Sequence, residues 1–176
     1  MPAQQFVDEL NSQIGREFGA SQQYVAFAVF YDDLTFPRLA RFFYDQAMEE
    51  RTHAMMMVRY LLDADVRPTI PGVPAPTTEF ADWLSPLGIA LDQERKVTDE
   101  ISNLAAIARR EDDYLSEQFI QWFLKEQVEE VSTMSDLVAV AERCRERPLD
   151  MEDYLARERS APEQADPTAP PAAGAA

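Results

Sequence analysis

Cysteine is nearly absent. The 176-residue chain has one, Cys144, so it can form no intramolecular disulfide and no Cys-x-x-Cys metal site. Histidine is equally scarce, with His53 alone. Bases are few: 16 lysines and arginines face 32 acids, for a formal net charge of −16. That balance argues against nucleic acids and anionic membranes as partners, since both need basic patches. The acid surplus suits a protein that attracts cations, although charge alone does not separate that from an ordinary acidic protein. No apolar run approaches the length needed to span a membrane. The opening "MPAQQFVDELNSQ" lacks the basic and apolar regions of a signal peptide, so the expected location is the cytoplasm. Strand-like alternation and internal repeats are also missing.

What remains is helical periodicity on a scale suited to one well-buried core. Four long patterns run over about 3–32, 36–65, 87–110 and 114–145, and a short fifth over about 150–158. Between the second and third lies "VRPTIPGVPAPTTEFADWLSP", whose prolines bar a continuous helix. The other connections between long helices are short and imply antiparallel neighbours. The proline-rich stretch, at roughly 3.3 Å per extended residue, is long enough to run the length of a ~40 Å helix. It therefore permits the second and third helices to lie parallel. An all-α four-helix bundle with a long crossover between helices 2 and 3 is the expected fold.

An inward seam advances in alternating steps of three and four residues. In the first helix it gives Leu10, Ile14, Glu17, Ser21, Tyr24, Ala28 and Tyr31. In the second it gives Leu39, Phe43, Gln46, Glu50, His53, Met57 and Tyr60. The third contributes Leu87, Leu91, Glu94, Thr98, Ile101, Ala105 and Ala108. The fourth contributes Ile120, Phe123, Gln127, Glu130, Met134, Leu137 and Ala141. Every long helix thus sets a glutamate in an apolar stripe. Glu17 precedes the first turn by about as many residues as Glu50 and His53 follow it, so at ~1.5 Å rise per residue they share a level. Glu94 and the Gln127/Glu130 pair converge in the same way across the second turn.

Four carboxylates in one dry space repel and desolvate each other until protons or cations neutralise them. Two divalent metals balance four carboxylates, and Glu-x-x-His presents both its ligands on one helix face. Oxygen donors with one imidazole suit iron or manganese, and the set matches a di-iron carboxylate arrangement. Taken singly, Glu-x-x-His is a common solvated pair, and Tyr24, Trp122 and Met55–Met57 read as packing residues. Their joint occurrence on matching levels carries the metal reading.

The stretches "REFGASQQYVA", "FYDQAMEERTHAMMM", "IPGV", "ALDQERKVT" and "QWFLKEQVEEV" closely resemble the non-haem prokaryotic ferritins over about residues 4–158. The resemblance implies that Glu17, Glu50 and His53 hold a first iron, with Glu50 bridging to a second iron held by Glu94 and Glu130. It makes Gln127 the neighbouring amide and Tyr24 the tyrosine beside the ferroxidase centre, with Trp122 an aromatic of that neighbourhood. It assigns Glu49, Glu126 and Glu129, with Glu130, to a third iron site on the cavity side. Glu117 becomes a candidate channel residue. Bacterioferritins carry Glu-Met-x-His, their methionine ligating haem; here Arg51 stands in that place, so no haem is expected. They also repeat Glu-x-x-His in the fourth helix, where this chain has Gln127 and Glu130.

The resemblance implies oxidation of Fe(II) by dioxygen, ferric storage and a hollow homo-oligomeric cage of twenty-four subunits. Two other readings stay open: a di-iron oxygenase or hydroxylase of the same superfamily, and a cage subunit without ferroxidase activity. Residues 1–159 are expected to form the ferritin-like di-iron domain. Residues 160–176 are expected to be a disordered Pro/Ala-rich tail, or else a docking tag for a partner or larger compartment.

Overall fold

Helix α1 (Gln4–Asp33) and α2 (Pro37–Asp63) form one hairpin, α3 (Ser85–Arg110) and α4 (Tyr114–Arg143) a second, and α5 (Leu149–Glu158) follows. The computed structural model describes residues 1–158 and 166–174. Among these there is no strand, and no helix is long and apolar enough to cross a membrane. The all-α bundle is the expected one, with every helix end within about two residues of its place in the periodicity.

Local chemistry sets those ends. Pro37 opens α2 with its backbone angle already helical. Asp113 caps α4 by accepting from the Ser116 N–H at 3.1 Å, and it also accepts from the Ala3 N–H at 2.8 Å. Helices α1, α2 and α3 each stop at a residue in the left-handed region: Thr35 (φ 65°), Asp65 (φ 58°) and Asp112 (φ 54°). The next N–H then reaches back to a carbonyl of the last turn: Phe36 to Tyr31 at 2.9 Å, Val66 to Leu61 at 2.8 Å, Asp113 to Ala108 at 2.9 Å. These are Schellman terminations made without glycine.

The crossover is anchored along α1, and the anchors give its direction. The Thr69 N–H donates to Oδ1 of Asn11 at 2.7 Å. Pro71 lies on Gly15, where a Cβ would stand 2.5 Å from the proline Cγ. Further along, Thr77 and Gln23 exchange two hydrogen bonds, at 2.8 and 2.9 Å. The Tyr31 hydroxyl donates to the Trp83 carbonyl at 2.8 Å. The chain therefore climbs from the start of α1 to its end before α3 begins. This leaves α3 antiparallel to α1 and parallel to α2.

The apolar core comes in two parts. One gathers Phe6, Leu10, Ile14, Met57, Leu61, Ile101, Leu104, Ile120 and Phe123. The other gathers Tyr24, Phe27, Tyr31, Leu39, Phe43, Leu87, Leu91, Leu137, Met151 and Leu155. Along every long helix, buried polar residues lie between the two parts: Glu17, then Glu50 with His53, then Glu94, then Gln127 with Glu130.

Helix α5 closes one end of the bundle. Its Glu152 caps α2 from outside, accepting from the N–H groups of Arg38 at 2.9 Å and Leu39 at 3.0 Å. Glu152→Ala would orphan two N–H groups at the start of α2. It is expected to lower stability by about 2–3 kcal/mol, with Glu152→Gln losing less, as denaturant unfolding would record.

The tail departs from expectation. Residues 160–165 and 175–176 of the expected disordered tail lie outside the described residues. Residues 166–174, however, are docked. Asp166 accepts from Trp122 Nε1 at 3.1 Å and from Lys125 Nζ at 3.0 Å, and the Ala173 N–H donates to the Met55 carbonyl at 2.9 Å. Ala169, Ala172 and Ala173 pack on the apolar cluster. Small side chains let the backbone approach α2 and α4 closely, which composition alone does not reveal.

Candidate metal centre

The polar layer brings one imidazole and four carboxylates together from four helices. Glu17, Glu50, His53, Glu94 and Glu130 are each at most 6% exposed. One ligand atom each from Glu17, Glu50 and His53 lies within 4.8 Å of the others. His53 Nδ1 is 3.8 Å from Oε2 of Glu50, as expected one helical turn apart. The imidazole packs edge-to-face on the rings of both Trp122 and Phe123, each centroid 5.7 Å away.

Glu94 enters from α3. Its Oε1 accepts a short hydrogen bond from the Tyr24 hydroxyl. Thr98 Oγ1 sits 2.8 Å from the Glu94 carbonyl and 2.9 Å from Oε1 of Gln127. Holding the amide oxygen there turns its NH2 toward Glu94. The second oxygens of Glu17 and Glu94 are buried without a hydrogen-bond partner. Orphaned carboxylate oxygens in a dry core are costly unless a cation meets them.

The electrostatics agree. Burial pushes the Glu17 carboxyl well above the usual range, and the charge of Glu50 adds to it. Burial, then the charge of Glu94, does the same to Glu50. Glu94 is raised to about 7, chiefly by burial, against hydrogen bonds from Tyr24 and Gln127. Burial and the Glu94 charge likewise raise the Tyr24 phenol well above its ordinary value. Three neighbouring acids thus resist ionisation in the metal-free core, as uncompensated carboxylates must.

A second group lies toward the α2/α4 face. Ligand atoms of Glu49, His53 and Glu126 also fall within 4.8 Å of one another. They border a cleft of about 390 Å³, with Glu129 and Asp45 on its rim and Asp166 and Ala169 of the tail across it. Burial, then the charge of Glu129, raises the Glu126 carboxyl. Glu129 itself is exposed, and Glu49 receives a 2.7 Å hydrogen bond from Gln46. Glu117, the candidate channel residue, is engaged by Arg109, whose Nε donates to it at 2.9 Å. The seam register passed over two site residues. Gln13 donates to Glu17 at 2.8 Å, a partnership hinted at only by its four-residue spacing. Asp166 carried no local signal.

Because Asp166 and Ala169 border the cleft beside Trp122, cutting the chain after Glu158 is expected to open it. In a Trp83→Phe background, Trp122 emission should shift to the red and acrylamide quenching should rise. Asp166→Ala should reproduce part of both changes.

Comparison with known proteins points the same way. A family model described as a ferritin-like domain matches residues 7–144. The chain is 56% identical over 167 residues to "Ferritin BfrB" of Mycolicibacterium smegmatis, covering 95% of this chain and 92% of that one. It is 38% identical over 133 residues to "Bacterial non-heme ferritin" of Staphylococcus haemolyticus, covering 76% and 80%. Among solved structures, a humanized archaeal ferritin superposes with a TM-score of 0.87 at 26% identity, covering 93% of this chain and all of that one. An open-pore ferritin of Archaeoglobus fulgidus superposes at 0.85, with 26% identity and 89% and 98% coverage. With a helical bundle, a buried carboxylate layer and these relatives in agreement, this chain belongs to the ferritin family and is a prokaryotic ferritin.

Proposed function

We propose that this ferritin oxidises ferrous iron with dioxygen at the layer formed by Glu17, Glu50, His53, Glu94 and Glu130, and stores the ferric product in a hollow cage of twenty-four copies. Iron storage follows from family membership, and the oxidation site is the finer reading. One observation carries it. Four carboxylates and one imidazole are buried together, with the second oxygens of Glu17 and Glu94 left without partners. Two ferrous ions supply the four positive charges this set lacks. Glu50 interacts with Glu17, Glu94 and Glu130, which suits it to contact both ions.

Two ferrous ions yield two electrons to one dioxygen, which with two protons leaves as hydrogen peroxide. Anionic oxygen ligands favour the product state, because the harder, more charged ferric ion gains more from them. Tyr24, hydrogen-bonded to Glu94, stands beside this centre. The acidic cleft beside His53 suits passage of cations toward Glu49, Glu126 and Glu129, the residues of the proposed third iron position. A cleft so lined fits iron better than an organic substrate, which weighs against an oxygenase.

The test is aerobic loading of the purified full-length protein with ferrous iron, followed by size exclusion and electron microscopy. Rapid ferric absorbance and large hollow particles with dense cores are expected. A monomer or dimer that holds no ferric core would sink the storage reading, and slow oxidation by intact cages would sink the ferroxidase reading.

A further inference from the structure

Gln13 is fully buried on α1, one turn before Glu17, and it forms no part of any apolar cluster. Its Nε2 donates to Oε1 of Glu17 at 2.8 Å. Its Oε1 accepts from Nη1 of Arg16 at 2.9 Å. A guanidinium has donors only, so the amide oxygen must face Arg16 and the NH2 must face Glu17. A flipped amide would set its oxygen against a carboxylate oxygen and its NH2 against a guanidinium, two repulsive contacts at once. Arg16 is itself held by Glu9 at 2.7 Å on the same helix and by Glu100 of α3 at 3.4 Å. The orientation of a buried amide is therefore fixed by charges near the surface of the α1/α3 face.

The consequence falls on Glu17. With Oε1 occupied by Gln13, only Oε2 is left, buried and without a hydrogen-bond partner. Glu94 is treated the same way across the layer: Tyr24 takes Oε1 and Oε2 is left over. Each of these two carboxylates thus has one oxygen tied to a protein donor and one to offer. We propose that Gln13, oriented by Arg16, is a positioning residue that fixes which oxygen of Glu17 is presented to iron. The inference rests on reading Glu17, Glu50 and His53 as an iron site. Without the donor, the Glu17 side chain is free to turn both oxygens, and its ordering falls to the incoming ion. Loss of a hydrogen-bond partner to a metal ligand typically weakens metal binding about 10–100-fold.

Anaerobic titration of the full-length assembled protein with Co(II), followed by its ligand-field absorption, separates positioning from packing. Gln13→Leu keeps the volume and removes the donor. It is expected to weaken Co(II) binding about 10–100-fold and to change the band shape. Arg16→Met leaves the amide in place and frees it to flip, so a smaller loss in the same direction is expected. Arg16→Lys, which still donates, should restore the wild-type spectrum. If Gln13→Leu fails to assemble, the half-exposed Arg16 pair decides alone. Wild-type affinity and spectrum in both Gln13→Leu and Arg16→Met would reduce Gln13 to a satisfied packing residue. Arg16→Lys behaving like Arg16→Met would remove the orienting role. Should wild type and Glu50→Gln take up Co(II) identically, the metal-site reading itself falls, and this inference with it. Tight, Glu50-dependent binding that ignores Gln13 and Arg16 would overturn the inference alone.

Discussion

Glu50→Gln is expected to slow aerobic ferrous oxidation about 100-fold or more while making the iron-free protein more stable. Loss of an outer partner to a ligand already costs about 10–100-fold, and under the proposed function, in which Glu50 contacts both ions, its loss should cost at least the upper end. The substitution is nearly isosteric, so packing between the two apolar clusters is kept. In the iron-free core Glu50 is buried against the charges of Glu94, Glu130 and Glu49. Replacing a carboxyl that this core holds only at a cost, as a charge or as a retained proton, removes that cost, and a gain of about 1–2 kcal/mol is expected. The two effects have opposite signs, which makes the test sharp. Stopped-flow ferric absorbance gives the rate, and thermal unfolding in chelator gives the stability. A structural glutamate would show the reverse pattern: lower stability, with oxidation scarcely altered in the molecules that remain folded.

The bundle was legible because its grammar is local. Alternating steps of three and four placed nearly the whole seam correctly; Ser21, Tyr60, Thr98 and Ala105 are half-buried where full burial was expected. Prolines 68–86 marked the crossover, and its length allowed the parallel placement that the contacts with Asn11, Gly15 and Gln23 produce. The polar layer was legible from the matching heights of Glu17, Glu50, Glu94 and Glu130. What stayed hidden depends on partners distant in sequence or on side-chain direction. Glu152 looks like any first-turn acid of a short amphipathic helix, and only the docked α5 aims it at the N-terminus of α2. The tail is Pro/Ala-rich and buries little area per residue. Its docking rests on Asp166 meeting Trp122 and Lys125, a pairing across 41 and 44 residues. Gln13 lies beside the seam rather than on it, so periodicity assigned it no role.

Under the proposed function, the core that Glu50→Gln probes is expected to couple iron uptake to protons. The metal-free protein is expected to lose stability as pH rises from about 5 to about 8, and a redox-inert divalent cation is expected to cancel that loss. An unfolded glutamate titrates near ~4.3. In the folded chain Glu94 is raised to about 7, and Glu17 and Glu50 are raised as well. Between these values the folded state holds protons that the unfolded state has released, so stability falls with rising pH. Below the unfolded value both states are protonated and these residues contribute nothing. Above the folded value the penalty is complete. For Glu94 alone, a rise from 4.5 to about 7 corresponds to a penalty on the order of 3 kcal/mol, at ~1.36 kcal/mol per unit. Asp113 acts in the opposite sense: burial disfavours its charge, but hydrogen bonds from Ser116 and Ala3 outweigh it and hold the carboxyl low. Its stabilisation is lost only as pH falls through its own depressed range, well away from the window of the core acids. A bound cation takes the place of the protons, so uptake near pH 6.5 must release them. Titration calorimetry with Co(II) in two buffers of different ionisation enthalpy counts that release, and thermal midpoints in chelator trace the stability. A midpoint that holds steady or climbs from pH 5 to 8, together with Co(II) uptake that frees no protons, would mean that these carboxylates are already ionised and compensated without metal.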